Sequence, residues 1–257
     1  MDSLLGIRQS AAMQHSRAAV LSEKLGLPLM PPTATPDGLF LDDSPQGLAL
    51  VDGRAGAPGA VRVDFLNPRV LHRLRRVGIR SELLIRAVGI KKGRRPRLVD
   101  ATAGLGGDAL ILAHAGCTVT LIERSPIVAA LLADAICRTA ATDPGNPAAA
   151  LQLVEADATS WLAGLAEPAR PDVVYLDPMY PDRGDAAAVR KEMQLLKQLL
   201  GSDEQSAPGL LQAALASARQ RVVVKRPRKA PLIDSPNRPS HQISGRSTRF
   251  DVYVLHS

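Results

Sequence analysis

The stretch from Arg97 to Glu123 constrains the fold more than any other. Arg97-Leu98-Val99-Asp100-Ala101 is a short apolar run of the kind that forms a buried strand. Glycines at 104, 106 and 107 allow a tight turn, and the Ala/Leu-rich segment from about Asp108 to Ala115 has the composition of a helix. Gly116 closes that helix, and Thr118–Ile122 supplies a second strand that ends on Glu123. Strand, glycine loop, helix, strand and acid make a βαβ unit. Glu123 lies 19 residues beyond Gly104, the spacing at which a carboxylate accepts hydrogen bonds from a ribose diol. The unit therefore predicts a pocket for an adenosine-bearing cofactor.

Two cofactor classes fit this unit. Gly104, Gly106 and Ala109 satisfy the loose G-x-G-x-x-A form of the dinucleotide fingerprint, which keeps a nicotinamide or flavin oxidoreductase open. S-Adenosylmethionine fits better for two reasons. Asp100, at the end of the first strand, can neutralise an α-ammonium, whereas a pyrophosphate gains little from a carboxylate. The later run Asp177-Pro178-Met179-Tyr180 also has no evident use in a dehydrogenase.

The rest of the chain extends the same pattern. Residues 10–26 read as a helix capped by Gly26, followed by prolines at 28, 31, 32 and 36. Strands are expected at Leu39–Leu41, Leu48–Val51 and Val61–Phe65, and a helix near Ser81 leads into the basic run KKGRRPR. Pro126 opens a long helix to about Thr142, where Asp143-Pro144-Gly145-Asn146-Pro147 stops it. Further strands are expected at Leu151–Glu155, Asp172–Leu176, Arg221–Lys225 and Phe250–Leu255, the last antiparallel. Helices are expected over 187–200 and 210–219. The economical assembly is α/β, with helices on both faces of a seven-stranded, mostly parallel sheet. A small N-terminal α+β appendage, residues 1–75, precedes a catalytic domain of residues 76–257.

Charge is unevenly spread over a net +7. Residues 69–97 hold 11 basic and 1 acidic side chains, and residues 221–249 hold 8 and 1, while residues 98–220 hold 8 basic and 15 acidic. An acidic body between two basic segments suits a polyanionic substrate steered toward a site. Lone His72, set among arginines, suits a structural or phosphate-facing place. Aromatic residues are only 3% of the chain, which argues against a general single-strand binder. No apolar run is long enough for a membrane span, and Cys117 and Cys137 read as small buried thiols in a cytoplasmic protein.

Chemistry concentrates at the fourth strand of the unit. A nucleobase amine shares its lone pair with the ring and is a poor nucleophile. Acceptors that hold its two N–H groups make the lone pair available. The Asp177 carboxylate and the Pro178 carbonyl can be those acceptors, and Tyr180 can stack on a flipped base. Positioning supplies much of the rate in such a displacement, and no metal is required. Asp157, at the end of the third strand, is a candidate contact for the adenine amine, or else a helix N-cap. Lys225, Arg226, Arg228 and Lys229, after the fifth strand, are expected to grip phosphates, with Arg246 and Arg249 extending that grip. Carbon methylation of a pyrimidine would call for a cysteine nucleophile, and neither cysteine is well placed. An amino-methyltransferase acting on DNA stays open, as does a noncatalytic RNA-binding protein that keeps the fold.

Residues 98–129, the run VVYLDPMYPDR, the segment RKEMQLLKQLLG, the strand VVVKRP and the ending RFDVYVL closely resemble the RsmJ family of 16S ribosomal RNA guanine-N2 methyltransferases. The resemblance covers residues 61–257 in order and is looser before them. It implies a class I methyltransferase fold with S-adenosylmethionine as cofactor. It also implies conversion of guanosine 1516 of 16S rRNA to N2-methylguanosine. The implied partner is 16S rRNA or the small ribosomal subunit, and the implied state a cytoplasmic monomer. The family's cofactor contacts fall on Gly107-Asp108, Glu123-Arg124, Asp157-Ala158 and Asp177. This chain departs from the family at Gly107, where arginine is usual, at Asp157-Ala158, where a Ser-Ser-like pair is usual, and at Tyr180, often phenylalanine.

Overall fold

The computed structural model describes residues 4–9, 17–57, 59–76, 78, 82–91, 93–178, 195, 199 and 206–255. The expected helix start at 10–16, a Ser81 cap, Tyr180 and most of the helix expected over 187–200 lie outside these residues. Of that helix, Leu195 and Leu199 are described, and both pack on the core.

The N-terminal segment forms a sheet of its own. Strand β1 (Ile7–Arg8) lies between β2 (Leu29–Met30) and β3 (Leu39–Ser44), parallel to both, and β3 forms a hairpin with β4 (Gly47–Asp52). Helix α1 (Arg17–Leu25) connects β1 to β2 and ends at Gly26, whose φ of 64° is the expected left-handed cap. The third strand expected here, Val61–Phe65, is reduced to one bridge between Val61 and Leu50. Beyond it the Asp64 side chain accepts from the Leu66 amide at 3.0 Å, turning the chain out of the sheet. Helix α2 (Pro68–Arg75), which hydrophobic periodicity did not reveal, follows at once. Its start is legible after the fact: Asn67 caps it, accepting from the Arg69 amide at 2.9 Å, and Pro68 occupies the first turn.

The second sheet contains β5 (Arg97–Asp100), β6 (Thr118–Glu123), β7 (Gln152–Glu155), β8 (Val173–Leu176), β9 (Arg221–Pro227), β10 (His241–Ser244) and β11 (Thr248–Val254). Its order is β10-β11-β9-β8-β5-β6-β7, and β11 runs antiparallel to both neighbours. Strand β10, with three of its four residues polar and little burial, is the one strand of this sheet not located by its residues. Because nearly every strand is covered on both faces, alternate residues fall into two apolar clusters. Leu98, Leu121, Val173 and Val223 face α3 (Leu83–Val88), α4 (Gly107–His114) and α5 (Pro126–Thr142). Val99, Ile122, Val174 and Val224 face α6 (Ala158–Ala163) and α7 (Ala207–Ser217). The chain leaves β5 for β6 and β7, then returns on the other side as β8. That reversal opens a crevice at the carboxyl ends of β5 and β8, where an open α/β sheet binds ligands. Cys117 is buried as expected, whereas Cys137 is exposed, because it falls on the solvent side of α5.

An ion cluster fastens the N-terminal sheet to α5. Asp134, buried on α5, accepts from Arg17, from Arg138 Nε at 2.8 Å and from the Leu48 amide at 3.0 Å. Arg17 also pairs with buried Asp43, and Arg138 donates to the Val63 carbonyl at 2.6 Å. One carboxylate thus joins α1, β4 and the segment after it. We expect Asp134→Ala to lower unfolding free energy by about 2–4 kcal/mol, because a buried amide and two guanidinium groups lose their acceptor while the arginines regain some water. Urea denaturation of the variant against the parent checks this.

Candidate active site

A cavity of about 780 Å3 opens at the carboxyl ends of β5, β6, β7 and β8. That is within the size range of small-molecule sites. Its floor is the glycine loop. Gly104 has a φ of 51° and donates its amide to Glu123 Oε2 at 3.0 Å, while Glu123 Oε1 accepts from the Ser125 amide at 2.8 Å. The acid 19 residues from the loop is therefore the acid that holds the loop. Burial raises the Glu123 carboxyl above its ordinary range, against the lowering effect of those amides.

Of the residues expected at the cofactor, Asp100, Gly104, Gly107, Asp108, Glu123, Arg124, Asp157 and Ala158 line this one cavity, together with Asp177 and Pro178. Gly106 does not. Its φ is 74°, and a Cβ there would stand 2.9 Å from Leu132 and 3.2 Å from Phe65, so its glycine serves packing behind the loop. Asp157 is the N-cap of α6, Oδ1 accepting from the Ser160 amide at 2.8 Å, while the residue also stands in the cavity wall.

Three carboxylates crowd the inner end. Asp100 is almost fully buried, and burial pushes its carboxyl up to about 8; the Thr102 amide lowers it and nearby Asp108 and Asp177 raise it. Thr102 ties two strand ends together, donating its amide to Asp100 Oδ1 at 3.1 Å and accepting from the Asp177 amide at 2.6 Å. Lys225 Nζ lies 2.7 Å from both Asp108 Oδ2 and Asp177 Oδ2. The buried Tyr175 hydroxyl donates to the same Asp108 oxygen at 2.6 Å. Burial raises the Asp177 carboxyl, and Lys225 opposes that rise. Thr102 and Tyr175 carried no signal in the sequence beyond their nearness to the strand ends.

The basic residues expected to grip phosphates divide sharply. Lys225 belongs to the carboxylate cluster. Arg226 is buried and donates to the Pro231 carbonyl at 3.2 Å. Arg249 is buried in a two-point pair with Asp251, at 2.8 and 2.9 Å, and donates to the carbonyls of Arg228 and Ala230. Their charge is consumed inside the protein, and neither guanidinium presents itself to a polyanion. Arg228, Lys229 and Arg246 are exposed. The N-terminal segment also reaches the site: Val63, Phe65, Asn67 and Leu74 form part of the cavity wall.

The sheet order, the glycine loop with its acid and the acidic crevice at the switch point together define a SAM-dependent methyltransferase. The SAM-dependent methyltransferase family profile matches residues 21–255. A Thioalkalivibrio sulfidiphilus protein named Ribosomal RNA small subunit methyltransferase J is 50% identical over 255 residues, 98% of each chain. A Pseudomonas savastanoi protein of the same name is 45% identical, covering 98% of this chain and 91% of its own. The crystal structure of a SAM-dependent methyltransferase from Neisseria gonorrhoeae superposes with a TM-score of 0.72 at 34% identity, covering 96% and 94% of the two chains. The chain belongs to the ribosomal RNA small subunit methyltransferase J family. The nicotinamide alternative falls with that assignment.

Replacing Lys225 by methionine should cost about 1–2 kcal/mol at neutral pH, a value reduced for the partial exposure of the pair. The deficit should shrink on acidification. Asp177 has a raised carboxyl pKa, so it takes up a proton as pH falls and leaves Lys225 less charge to balance. Chemical denaturation of parent and variant at pH 7 and pH 4 measures both.

Proposed function

We propose that this chain transfers a methyl group from S-adenosylmethionine to the exocyclic N2 of a guanosine in small-subunit ribosomal RNA, expected at position 1516 of 16S rRNA. The observation that carries the reading is the sharing of one cavity by the glycine loop, Glu123 and the Asp177-Pro178 strand end. The donor set fits the cofactor. Six carboxylates and four cations line the cavity, and buried Asp100 has a carboxyl that a cationic ligand would ionise. A sulfonium and an ammonium are favoured there over a pyrophosphate.

Under this reading Glu123 accepts from the ribose diol, Asp157 accepts from the adenine amine, and Asp100 faces the ammonium. Bound S-adenosylmethionine supplies an electrophilic methyl on sulfonium and leaves as S-adenosylhomocysteine. Asp177 is bonded to Lys225 through Oδ2, so Oδ1 is the oxygen offered to the guanine amine. The Pro178 carbonyl takes the second N–H, and Tyr180 is assigned to stack on the base. Once the nitrogen has bonded to the methyl carbon, its surplus proton passes to Asp177 or to water. The division at residue 75, a monomer completing its cavity from its own residues, and action on rRNA in the cytoplasm belong to the same proposal. Among the described residues no helix is long and apolar enough to cross a membrane.

Asp177→Ala should lower single-turnover formation of N2-methylguanosine by about 10²–10⁴-fold, while affinity for S-adenosylhomocysteine changes far less. In cells lacking the protein, one N2-methylguanosine of 16S rRNA should be missing and should return with the parent but not with the variant. Retention of every such mark refutes the assignment.

The raised Asp100 carboxyl predicts a pH effect with a definite sign. An ammonium-bearing ligand favours the ionised form, so binding releases a proton below about pH 8. Affinity for S-adenosylhomocysteine should therefore rise with pH toward about 8, by at most about tenfold per unit, and Asp100→Asn should flatten the rise. In the ligand-free protein the same shift has the opposite consequence. The folded carboxyl holds its proton above its unfolded value, so stability falls as pH rises through that window. Calorimetric titration at pH 6, 7 and 8 checks the binding slope.

A further inference from the structure

We propose that the outer face of α2 is a binding site for the RNA backbone, holding phosphates that flank the target nucleotide at the mouth of the cavity. This rests on the reading of an RNA substrate just given. The helix has two faces. Leu74 is buried and Val70 half-buried, one turn apart, and together they seat it on the core. Arg69, His72, Arg73 and Arg76 recur at i, i+3, i+4 and i+7, so they form a single stripe on the other side, and all four are exposed.

Like charges at this spacing oppose one another and cost the helix stability. Among the described residues no carboxylate forms an ion pair with any of the four; Glu82, beside them, does not approach closely enough to do so. Arg226 and Arg249 show the contrast, since their charges are absorbed by carbonyls and Asp251. A stripe that is unfavourable alone and left uncompensated is suited to an anion from outside.

Its position names the ligand. Arg73 lines the main cavity and also a second hollow of about 310 Å3, whose other walls are His72, Arg76 and Glu82. The stripe therefore leads outward from the rim of the site where the target base would enter. Cations one helical turn apart, about 5.4 Å, match a chain of successive phosphodiesters better than a single small anion.

The double variant Arg69→Gln/Arg76→Gln tests this, since neither residue lines the main cavity. Binding of a 16S rRNA fragment containing the target is measured across salt concentrations, alongside KM and kcat for its methylation. Two lost phosphate contacts should reduce the slope of log Kd against log salt by about 1.4 and raise KM about tenfold. kcat at saturating RNA and affinity for S-adenosylhomocysteine should hold, and thermal stability should be equal to or above the parent's because repulsion is relieved. A parent that methylates the fragment and a variant with unchanged slope and KM would overturn the site while leaving the function intact. A parent that neither binds nor methylates the fragment overturns both. Equal losses in cofactor and RNA affinity would place the effect in the cavity and also overturn it.

Discussion

Lys225 between Asp108 and Asp177 is the contact on which the crevice depends. Asp100, Asp108 and Asp177 come from two adjacent strand ends and the start of α4, and each charge there raises the cost of the next. One ammonium, 2.7 Å from two of them, keeps the two outer acids in place; the third, Asp100, answers to burial instead. Tyr175 fixes the orientation of Asp108, and Thr102 fixes the backbone of Asp177. The strand-end acids are thus members of one hydrogen-bonded network, in which moving one carboxylate displaces the others.

What was legible in the chain was local. The glycine loop, its following acid and the Asp177-Pro178 turn are each set within a few residues, so the residues alone place them on strand ends. The partner of Asp177 was not legible, because it depends on β9 lying beside β8 and on which side of β9 Lys225 emerges. The same holds for the two arginines assigned to phosphate. Antiparallel β11 sets Arg249 directly opposite Arg226, and the loop after β9 folds over both. Their guanidinium groups meet its carbonyls at Arg228, Ala230 and Pro231. A basic run thereby becomes the internal support of a loop that presents Arg228, Lys229 and Arg238 outward. Composition reports the charge of such a run, and only the pairing of strands decides where it points.

The N-terminal segment enters the site by a similar route. Phe65 lies close enough to Gly106 that any Cβ there would press on it, so the packing of residues 61–66 and the shape of the glycine loop are linked. Arg138 holds the Val63 carbonyl, and Asp134 holds Arg138. The cluster that fastens the small sheet to α5 therefore also sets one wall of the cavity. Residues 62–74 contain no motif and contribute to the cavity wall through where they are carried.

Charge is consequently sorted by depth. The crevice is acidic, with buried carboxylates that act over a few ångströms at low dielectric, where a cationic cofactor meets them without competition from water. The outer surface is basic along α2 and at Arg228, Lys229 and Arg246, where fields are screened over about 8 Å in physiological salt but still act collectively on a polyanion. Were the two reversed, phosphates would be drawn into the cofactor pocket and the sulfonium held at the rim. On the proposed reading, with acid predominant within and base predominant outside, a nucleic acid settles at the entrance while an uncharged base passes inward toward Asp177 and Pro178, the acceptors assigned to its amine.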